Sequence, residues 1–302
     1  MMKALYVQIA KMNRLVVKYW PLALGGEYAF RALSKITAKP GVRLEAVAAW
    51  GGRFNCELHD FVPSRVFYFG YWEPNLTGLL MRRLAEGDVF IDVGANIGYF
   101  TVLASKLVGS TGGVVAVEAS PSIYRRLQDD IALNAATNVR AINVAASDRE
   151  GTVSIYAGPD ENRGATSVQQ QRGGSYEADV RAATLLDVIE PSELARAKMM
   201  KIDVEGVELP ILMDILANID RYPARMDIVV EVSPEAMREA GSSLTTVIEQ
   251  FQAHGYNWYV LENRHDPKAY FDTTPRAPKR GTTIPTRMTD IVFSRESGEV
   301  LM

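Results

Sequence analysis

The residues best suited to chemistry lie in the stretch "DVGANIG", Asp92 to Gly98, which follows a run of apolar residues. An apolar strand, a glycine-containing turn and a helix, in this order, are typical of a ligand-binding loop in a parallel sheet. A pyrophosphate-binding loop would carry glycine where Asn96 stands, and its next glycine would come one residue after Gly98. Gly94, Ala95, Asn96 and Gly98 therefore favour a flat, uncharged part of a ligand, and Asp92 offers a carboxylate to a cationic group.

Polar residues at the ends of the next strands narrow the ligand further. The segment "VVAVE" ends in Glu118, where a carboxylate can accept hydrogen bonds from two ribose hydroxyls. Ser147 and Asp148 follow the third strand, where they can meet an adenine edge. A ribose, an adenine and an ammonium group without phosphate describe S-adenosylmethionine. A glycine-containing turn alone is often just a tight connection, and a glutamate at a strand end is often simply solvated. The occurrence of both, in order at successive strand ends, favours a nucleoside site.

A second group of carboxylates follows the fourth and fifth strands. "KIDVEGVE" places Asp203 at a strand end with Glu205 and Glu208 just beyond it, and Glu231 lies at the end of the next strand. Neighbouring carboxylates raise one another's pKa, which suits a general base, and a bound divalent cation would relieve the same repulsion. We predict Asp203, Glu205 and Glu231 as catalytic residues and as candidate metal ligands. Asp203 would be the base or acceptor-orienting group and a cofactor contact, whereas Glu208 equally suits a helix start.

Alternating strands and helices must position these groups. Apolar segments predict five strands, "VFIDVG", "GVVAVEA", "RAINVAA", "MMKIDV" and "MDIVVEV". Helical patterns separate them at residues 97–107, 121–133, 209–216 and 244–254. This alternation predicts an α/β fold with a doubly wound, mostly parallel sheet covered on both faces. "GYNWYVL" and "MTDIVFS" follow without a helix between them and predict an antiparallel pair that closes the sheet.

We expect the 302 residues to form one catalytic core with N-terminal additions. The predicted parts are a basic helical extension at 1–45, a small strand and helix segment at 46–87, and the cofactor-binding core at 88–302. Aromatic and β-branched residues predict short strands between residues 44 and 71. A helix after Pro74 then leads into the first core strand.

Composition restricts the compartment and the partners. The formal net charge of -3 gives no general electrostatic basis for binding nucleic acid. Cys56 is the only cysteine, which excludes an intrachain disulfide and fits a reducing compartment. A cytoplasmic location is the expectation.

The N-terminal residues 2–20 predict a basic amphipathic helix. Its basic residues recur at helical spacing, and an apolar stripe occupies the remaining surface: Leu5, Ile9, Met12, Val16 and Trp20. Charges interrupt the apolar runs too often for a membrane-spanning helix. Such a helix either packs its stripe on its own domain, which is the commoner arrangement, or makes peripheral contact with an anionic membrane surface.

These motifs resemble the FkbM family of S-adenosylmethionine-dependent methyltransferases. The resemblance is carried by "FIDVGANIGYFT", "KIDVEGVE" and "IVVEV", with "RGATSV" and "ATLLDVI" between them, and runs from about residue 67 to the C-terminus. It implies a class I, Rossmann-like methyltransferase fold, with a seven-stranded sheet whose last strand is antiparallel. It also implies O-methylation of a hydroxyl group on a sugar, glycan or natural product.

An alcohol oxygen is a poor nucleophile until it loses its proton, so the reaction needs a base or a metal ion. His59 is a reserve candidate for the base, and His265 falls in a loop. The loops at 161–168 and 266–285 are candidate lids, and Arg276, Lys279 and Arg280 in the second would suit an anionic acceptor. Two alternatives stay open, a nicotinamide-dependent oxidoreductase and a non-catalytic nucleoside-binding protein.

Overall fold

The computed structural model describes residues 2–19, 26–39, 41–159, 162–164, 166–168, 174–271 and 274–301. The strands are β1 Arg43–Val47, β2 Arg53–Glu57, β3 Val89–Val93, β4 Gly113–Glu118, β5 Val139–Asn143, β6 Ala145–Ala146, β7 Gly151–Ala157, β8 Ser175–Ala183, β9 Ala197–Ile202, β10 Asp227–Val232, β11 Asn257–Leu261, β12 Lys279–Arg280 and β13 Thr289–Ser294. The helices are α1 Met2–Tyr19, α2 Gly26–Thr37, α3 Phe61–Phe69, α4 Pro74–Arg83, α5 Tyr99–Val108, α6 Pro121–Leu133, α7 Leu185–Val188, α8 Pro191–Leu194, α9 Glu208–Ala217, α10 Pro234–Glu239, α11 Leu244–Ala253 and α12 Gly298–Leu301.

A central eight-stranded sheet has the order β12-β11-β13-β10-β9-β3-β4-β5. Strands β10, β9, β3, β4 and β5 are parallel to one another, and β13 runs antiparallel between β10 and β11. This is the class I methyltransferase sheet with its antiparallel last strand, and the two-residue β12 is added at one edge. The predicted α/β fold and the antiparallel pairing of β11 with β13 are confirmed.

The sheet forms where it does because its strands are apolar on both faces. All five residues of β3 are buried, and large apolar clusters lie on either side of the sheet. Ser120 accepts a hydrogen bond from the Ile123 amide at the start of α6, where Pro121 occupies the first turn. Because β10, β9, β3, β4 and β5 run parallel, their carboxyl ends lie at one edge of the sheet, where the loops that follow them can share a ligand.

The segment before the core differs in part from its prediction. Strands β1 and β2 pair as an antiparallel hairpin, as expected, but residues 61–69 form helix α3 rather than a strand. Asp60 caps this helix by accepting from the Phe61 amide, and Gly70 ends it in the left-handed conformation. The aromatic residues that suggested a strand are buried between the helix and its neighbours, so tertiary packing overrides their propensity.

A three-stranded sheet, β6-β8-β7, was not predicted from the sequence. It extends from the end of β5 and contributes Ile155 to the wall of a cavity beside the main sheet.

The N-terminal helices join the same core. Ala10, Val17 and Phe30 share an apolar cluster with Phe90 and Val114 of the central sheet. The division at residues 45 and 87 stays a prediction. Within the described ranges, every helix is too short or too polar to cross a bilayer.

Candidate active site

The loop after β3 is held tightly against a neighbouring strand end. Gly94 has φ 77°, and a Cβ atom there would lie 1.7 Å from the Asp203 carbonyl oxygen. Gly98 has φ 86°, and its Cβ would meet Leu127 at 2.5 Å. Both positions thus require glycine. Asn96 adopts φ 51°, a left-handed conformation uncommon for residues other than glycine and enriched at functional sites.

Glu118 lies beside this loop at the end of β4. One carboxylate oxygen accepts a hydrogen bond from the Asn96 amide at 2.8 Å, and the other accepts from the Ser120 amide at 2.9 Å. Burial raises the pKa of Glu118 to about 7, against the lowering effect of these two amides. Each oxygen keeps a free lone pair, so the carboxylate can still accept from a ribose diol.

A cavity with an empty volume of about 610 Å³ opens between the ends of β3, β4 and β9. Gly94, Asn96, Glu118 and Asp203, four of the residues predicted as cofactor contacts, line it together. Its apolar wall consists of Val144, Ala145, Ala146, Ile155 and Val168.

Ser147 and Asp148 lie outside this cavity wall, which corrects their predicted contact with an adenine edge. The Ser147 amide donates to the Ala183 carbonyl, and the Asp148 side chain lies 3.5 Å from Arg149. The chain has already turned into the small sheet at β6, so Ala145 and Ala146 occupy the positions nearest the cavity.

Asp92 also departs from its predicted role. It is buried within β3, where it accepts a hydrogen bond from the Thr101 hydroxyl at 2.6 Å, and it is absent from the walls of the cavities described here. Its Oδ1 atom has no hydrogen-bond partner among the described residues. Burial raises the pKa of Asp92, and the charge of Lys201 opposes that rise. Through Thr101, Asp92 links β3 to helix α5, the two elements on either side of the loop.

A segment between β7 and β8 covers the loop. Gly164 lies so close to Asn96 that a Cβ atom on residue 164 would be 2.3 Å from the side-chain Nδ2 atom of Asn96. The Arg163 amide donates to Asp60 at 3.1 Å, and Ser167 bridges to Tyr156 of β7. Gly164 and Ser167 both line the cavity. The described part of the candidate lid at 161–168 therefore roofs the site; residues 161 and 165 lie outside the described residues.

A second cavity, with an empty volume of about 710 Å³, adjoins the first. The two share five lining residues, Gly94, Asn96, Gly164, Asp203 and Glu205. The second cavity adds Ala95, aromatic side chains that include Trp72 and Tyr99, and the ionisable residues Glu73, Lys201, Glu231 and His265. A ligand in the first cavity can thus reach a second molecule in this one.

Asp203 is ion-paired at the junction of the two cavities. Its Oδ2 atom lies 3.0 Å from the Lys201 ammonium, which stands 5.5 Å from the centre of the Phe100 ring. Burial lowers the pKa of Lys201, but the charges of Asp203 and Asp92 outweigh it and raise the pKa. The lysine therefore stays charged and fixes the position of Asp203.

Glu205 and Glu231 line the second cavity together with Asp203, so the three carboxylates lie in one region of the protein. Burial raises the pKa of Glu205 to about 8, with further contributions from Asp203 and Glu208. The pKa of Glu231 rises to about 11, chiefly through burial and then through Asp203 and Asp290. Glu205 has φ 57°, so its backbone is strained at the site. Glu208 instead accepts from the Gly206 amide at 2.9 Å at the start of α9, which fits its alternative role in the helix start.

Glu73 and His265 were missed by the sequence reasoning. Glu73 is buried with φ 41°, and its carboxylate lies 3.0 Å from Nε2 of His265. The imidazole stacks on Trp72 with ring centres 4.8 Å apart. Burial lowers the pKa of His265, but the hydrogen bond to Glu73 and the charge of Glu73 together outweigh that effect, so the net shift of the pKa is upward. The only local sequence feature that could have pointed to Glu73 is its position next to Trp72, an aromatic residue of a kind often buried.

The candidate metal ligands also change. One donor atom from each of Glu73, Glu231 and His265 lies within 4.8 Å of the others. Two carboxylates and an imidazole suit a divalent transition ion. Of the three predicted ligands, Glu231 belongs to this group, whereas Asp203 is paired with Lys201. His59, the reserve base, is buried beside Glu57 at 3.8 Å and does not line the second cavity.

A sheet of this order, with a glycine loop and a carboxylate at the ends of adjacent core strands, defines a class I S-adenosylmethionine-dependent methyltransferase. Residues 92–257 match the family described as "Methyltransferase FkbM domain". The chain belongs to this family, and S-adenosylmethionine is its cofactor. The assignment favours methyl transfer over the oxidoreductase and the non-catalytic alternatives.

Two curated methyltransferases are similar to the chain. Methyltransferase sdnD of Sordaria araneosa is 27% identical over 188 residues, which cover 52% of this chain and 71% of that protein. Hexuronic acid methyltransferase AglP of Haloferax volcanii is 28% identical over 140 residues, which cover 46% of this chain and 55% of that protein. The match to AglP thus spans about half of its length.

The solved structures that resemble the chain include the following two proteins. Methyltransferase FkbM from Methylobacillus flagellatus aligns with a TM-score of 0.43 and 14% identity over 78% of this chain and 55% of that one. TYW2 of M. jannaschii, in complex with AdoMet, aligns with a TM-score of 0.42 and 15% identity over 83% and 84% of the two chains.

Proposed function

We propose that the protein is an O-methyltransferase that modifies a hydroxyl group of a sugar, glycan or natural product. The observation that carries this proposal is the second cavity, which adjoins the cofactor cavity through Asp203 and Glu205 and is rich in carboxylates. A hydroxyl needs a proton acceptor next to the transferred methyl group, and these residues stand at that junction. The similarity to AglP, a hexuronic acid methyltransferase, agrees with a sugar acceptor.

The residues of the first cavity fit the cofactor. Glu118 would accept hydrogen bonds from the ribose hydroxyls. The apolar wall that includes Val144, Ala145 and Ala146 would contact the adenine. Gly94, which has no side chain, would let the ligand lie against the backbone. When bound, S-adenosylmethionine supplies a methyl group activated by a sulfonium.

Within the acidic junction we assign different tasks to Asp203 and Glu205. Asp203, held by Lys201, would orient the acceptor hydroxyl through a hydrogen bond. Glu205, whose pKa is about 8, would take the hydroxyl proton as the new carbon–oxygen bond forms. When no cation is bound, Glu231, whose pKa is about 11, would stay protonated near neutral pH and donate a hydrogen bond to the acceptor; a bound cation would replace that proton.

A divalent cation is a second element of the proposal. The pKa values of Glu205 and Glu231 are raised and that of nearby Asp290 is raised strongly, because burial and mutual repulsion disfavour their ionised forms. A cation held by Glu73, Glu231 and His265 would offset that repulsion and could bind an anionic acceptor such as a uronic acid. Arg276, Lys279 and Arg280 are not among the residues that line this cavity, so they do not provide that compensation there.

The experiment that tests the proposal is methyl transfer from isotopically labelled S-adenosylmethionine to a panel of sugars and other hydroxyl compounds. Mass spectrometry and NMR of the product then locate the methyl group. We expect an O-methyl ether, and transfer to nitrogen or carbon would contradict the proposal. Asp203→Asn should lower turnover while S-adenosylmethionine affinity is retained; full turnover in this variant would remove Asp203 from the reaction.

The cation is tested by titrating the protein with Mn²⁺ and following the free-ion signal by electron paramagnetic resonance. His265→Ala should weaken binding by about tenfold or more, since one of three ligands is lost. His254→Ala, at the exposed end of α11, is the matched control. Unchanged turnover after exhaustive chelation would exclude a catalytic cation.

A further inference from the structure

Helix α1 packs on the protein with one side and leaves apolar residues exposed on the other. Ala10 and Val17 on the packed side are fully or almost fully buried. On the opposite side Leu5, Met12 and Leu15 are 58%, 54% and 57% exposed. Their spacing of seven and three residues places all three on one side of the helix. These three large apolar side chains of α1 therefore face outward, whereas Tyr6 and Val7 are partly buried against the core.

This arrangement corrects the expectation that the apolar stripe packs on the domain. Leu5 and Met12 belong to that predicted stripe and are exposed, while Ile9 and Val16 are only half-buried. Trp20, the last member, lies outside the described residues. The packed side also carries Asn13, which is buried although asparagine is among the less favourable residues to bury. The outward stripe needs another partner, because amphipathic helices normally cover their apolar side.

Helix α2, which packs against α1, also exposes a mixture of apolar and basic residues. Tyr28 is 71% exposed and Ile36 is also exposed. Arg31, Lys35 and Lys39 are exposed within or just after the same helix. The described ranges within residues 2–39 contain seven basic residues and the single acid Glu27, although the whole chain carries a net charge of -3. The positive charge is thus concentrated where the apolar side chains are exposed.

We propose that this surface binds an anionic lipid bilayer. The N-terminal face is defined by five apolar residues, Leu5, Met12, Leu15, Tyr28 and Ile36, and four basic residues, Lys11, Arg31, Lys35 and Lys39. The apolar side chains enter the boundary between headgroups and acyl chains, and the basic side chains meet lipid phosphates. Charge argues against a second copy of the chain as the partner, since symmetric pairing would bring two sets of basic residues together.

The N-terminal face is connected to the acceptor cavity through shared packing. Phe30 of α2 contacts Phe69 of α3 with ring centres 4.8 Å apart, and Phe69 in turn contacts Tyr270 at 5.1 Å. Phe61, at the start of α3, and His265, shortly before Tyr270, both line the second cavity. The helices that meet the bilayer thus support one wall of the cavity proposed for the acceptor.

The test is co-sedimentation of the full chain with phosphatidylcholine vesicles, with and without phosphatidylglycerol. The wild type should sediment with the anionic vesicles, and added salt should weaken binding because it screens the basic residues. The double variant Met12→Glu/Leu15→Glu should bind at least about tenfold more weakly. The matched control is Met81→Glu/Met213→Glu, which makes the same charge change at two exposed apolar positions of α4 and α9 and should bind like the wild type.

Circular dichroism and S-adenosylmethionine affinity establish that each variant is folded, and neither readout depends on the acceptor. Equal binding of Met12→Glu/Leu15→Glu and the wild type would overturn the proposal, as would equal binding to neutral and anionic vesicles. A wild-type dimer that this variant converts to a monomer would assign the face to a second copy instead. Lys35→Glu/Lys39→Glu, which leaves the apolar residues intact, should reduce both the affinity for anionic vesicles and its salt dependence.

Discussion

The two adjoining cavities of this protein are built in different ways. The first cavity, proposed for the cofactor and called the cofactor cavity below, takes its polar residues from the ends of adjacent parallel strands, with Gly94 and Asn96 after β3 and Glu118 at the end of β4. The second cavity, proposed for the acceptor and called the acceptor cavity below, draws on segments far apart in the chain, including Trp72 and Glu73 before α4 and His265 after β11. The first is a continuous feature of the fold, and the second exists only after distant loops meet.

The cavities also differ in charge. Glu118 is a single carboxylate held by two backbone amides, which satisfy it without a counter-ion. In the acceptor cavity, burial and then the repulsion from Asp203 raise the pKa of Glu205 and Glu231. The cofactor side is therefore organised for binding, whereas the acceptor side stores electrostatic strain that suits proton transfer.

The largest expected effect is on turnover, in the acceptor cavity. Glu205→Gln should lower kcat by about 10²–10⁴-fold, because it removes the proton acceptor and keeps the shape of the side chain. S-adenosylmethionine affinity, measured by calorimetry, should change little. Glu235→Gln, at an exposed position of α10, is the control. Near-normal kcat in Glu205→Gln would assign proton transfer to another group.

The opposite pattern is expected for Glu118 in the cofactor cavity. Glu118→Ala should raise the Kd for S-adenosylmethionine by about 10–100-fold, since hydrogen bonds to a charged acceptor are lost. Calorimetric titration measures this change. Asp148→Ala should alter the Kd by less than about twofold, because Asp148 lies outside the cavity wall. If Asp148→Ala proves the more damaging, the adenine is bound elsewhere.

The pH dependence of turnover should come from the acceptor cavity. A proton acceptor works only when ionised, so activity should be low below the Glu205 pKa of about 8 and rise through it. The expected slope at lower pH is about tenfold per pH unit. Glu231, with a pKa of about 11, should add no further change between pH 6 and about 9. The rise should disappear from the residual activity of Glu205→Gln, and a rise that persists there would point to a different base.

The smallest effect is expected where the covering segment touches the cofactor loop. Gly164→Ala would place a Cβ 2.3 Å from the Asn96 side chain, which must then shift. We expect the Kd for S-adenosylmethionine to increase by roughly threefold to tenfold. Gly151→Ala is the matched control, since its Cβ would meet nothing within 4 Å. Equal Kd values in the two variants would show that the segment moves away without cost.

The sequence by itself determined the central fold and the core of the cofactor cavity. Apolar strands alternate with helices at readable spacing, and Gly94, Asn96 and Glu118 lie next to the ends of those strands. Parallel strands end at one edge of a sheet, so strand order is enough to bring these residues together. Asp203, Glu205 and Glu231 could be found by the same reasoning.

Only the tertiary structure decided the rest of the site. Strand-end position could not tell that Asp92 is buried beneath its loop, or that the chain turns before Ser147 and Asp148 reach the cavity. Glu73 and His265 are 192 residues apart in the chain, and no local pattern joins them. Their pairing, like the outward stripe of α1 and the helix at residues 61–69, depends on which surfaces the folded core leaves to be covered.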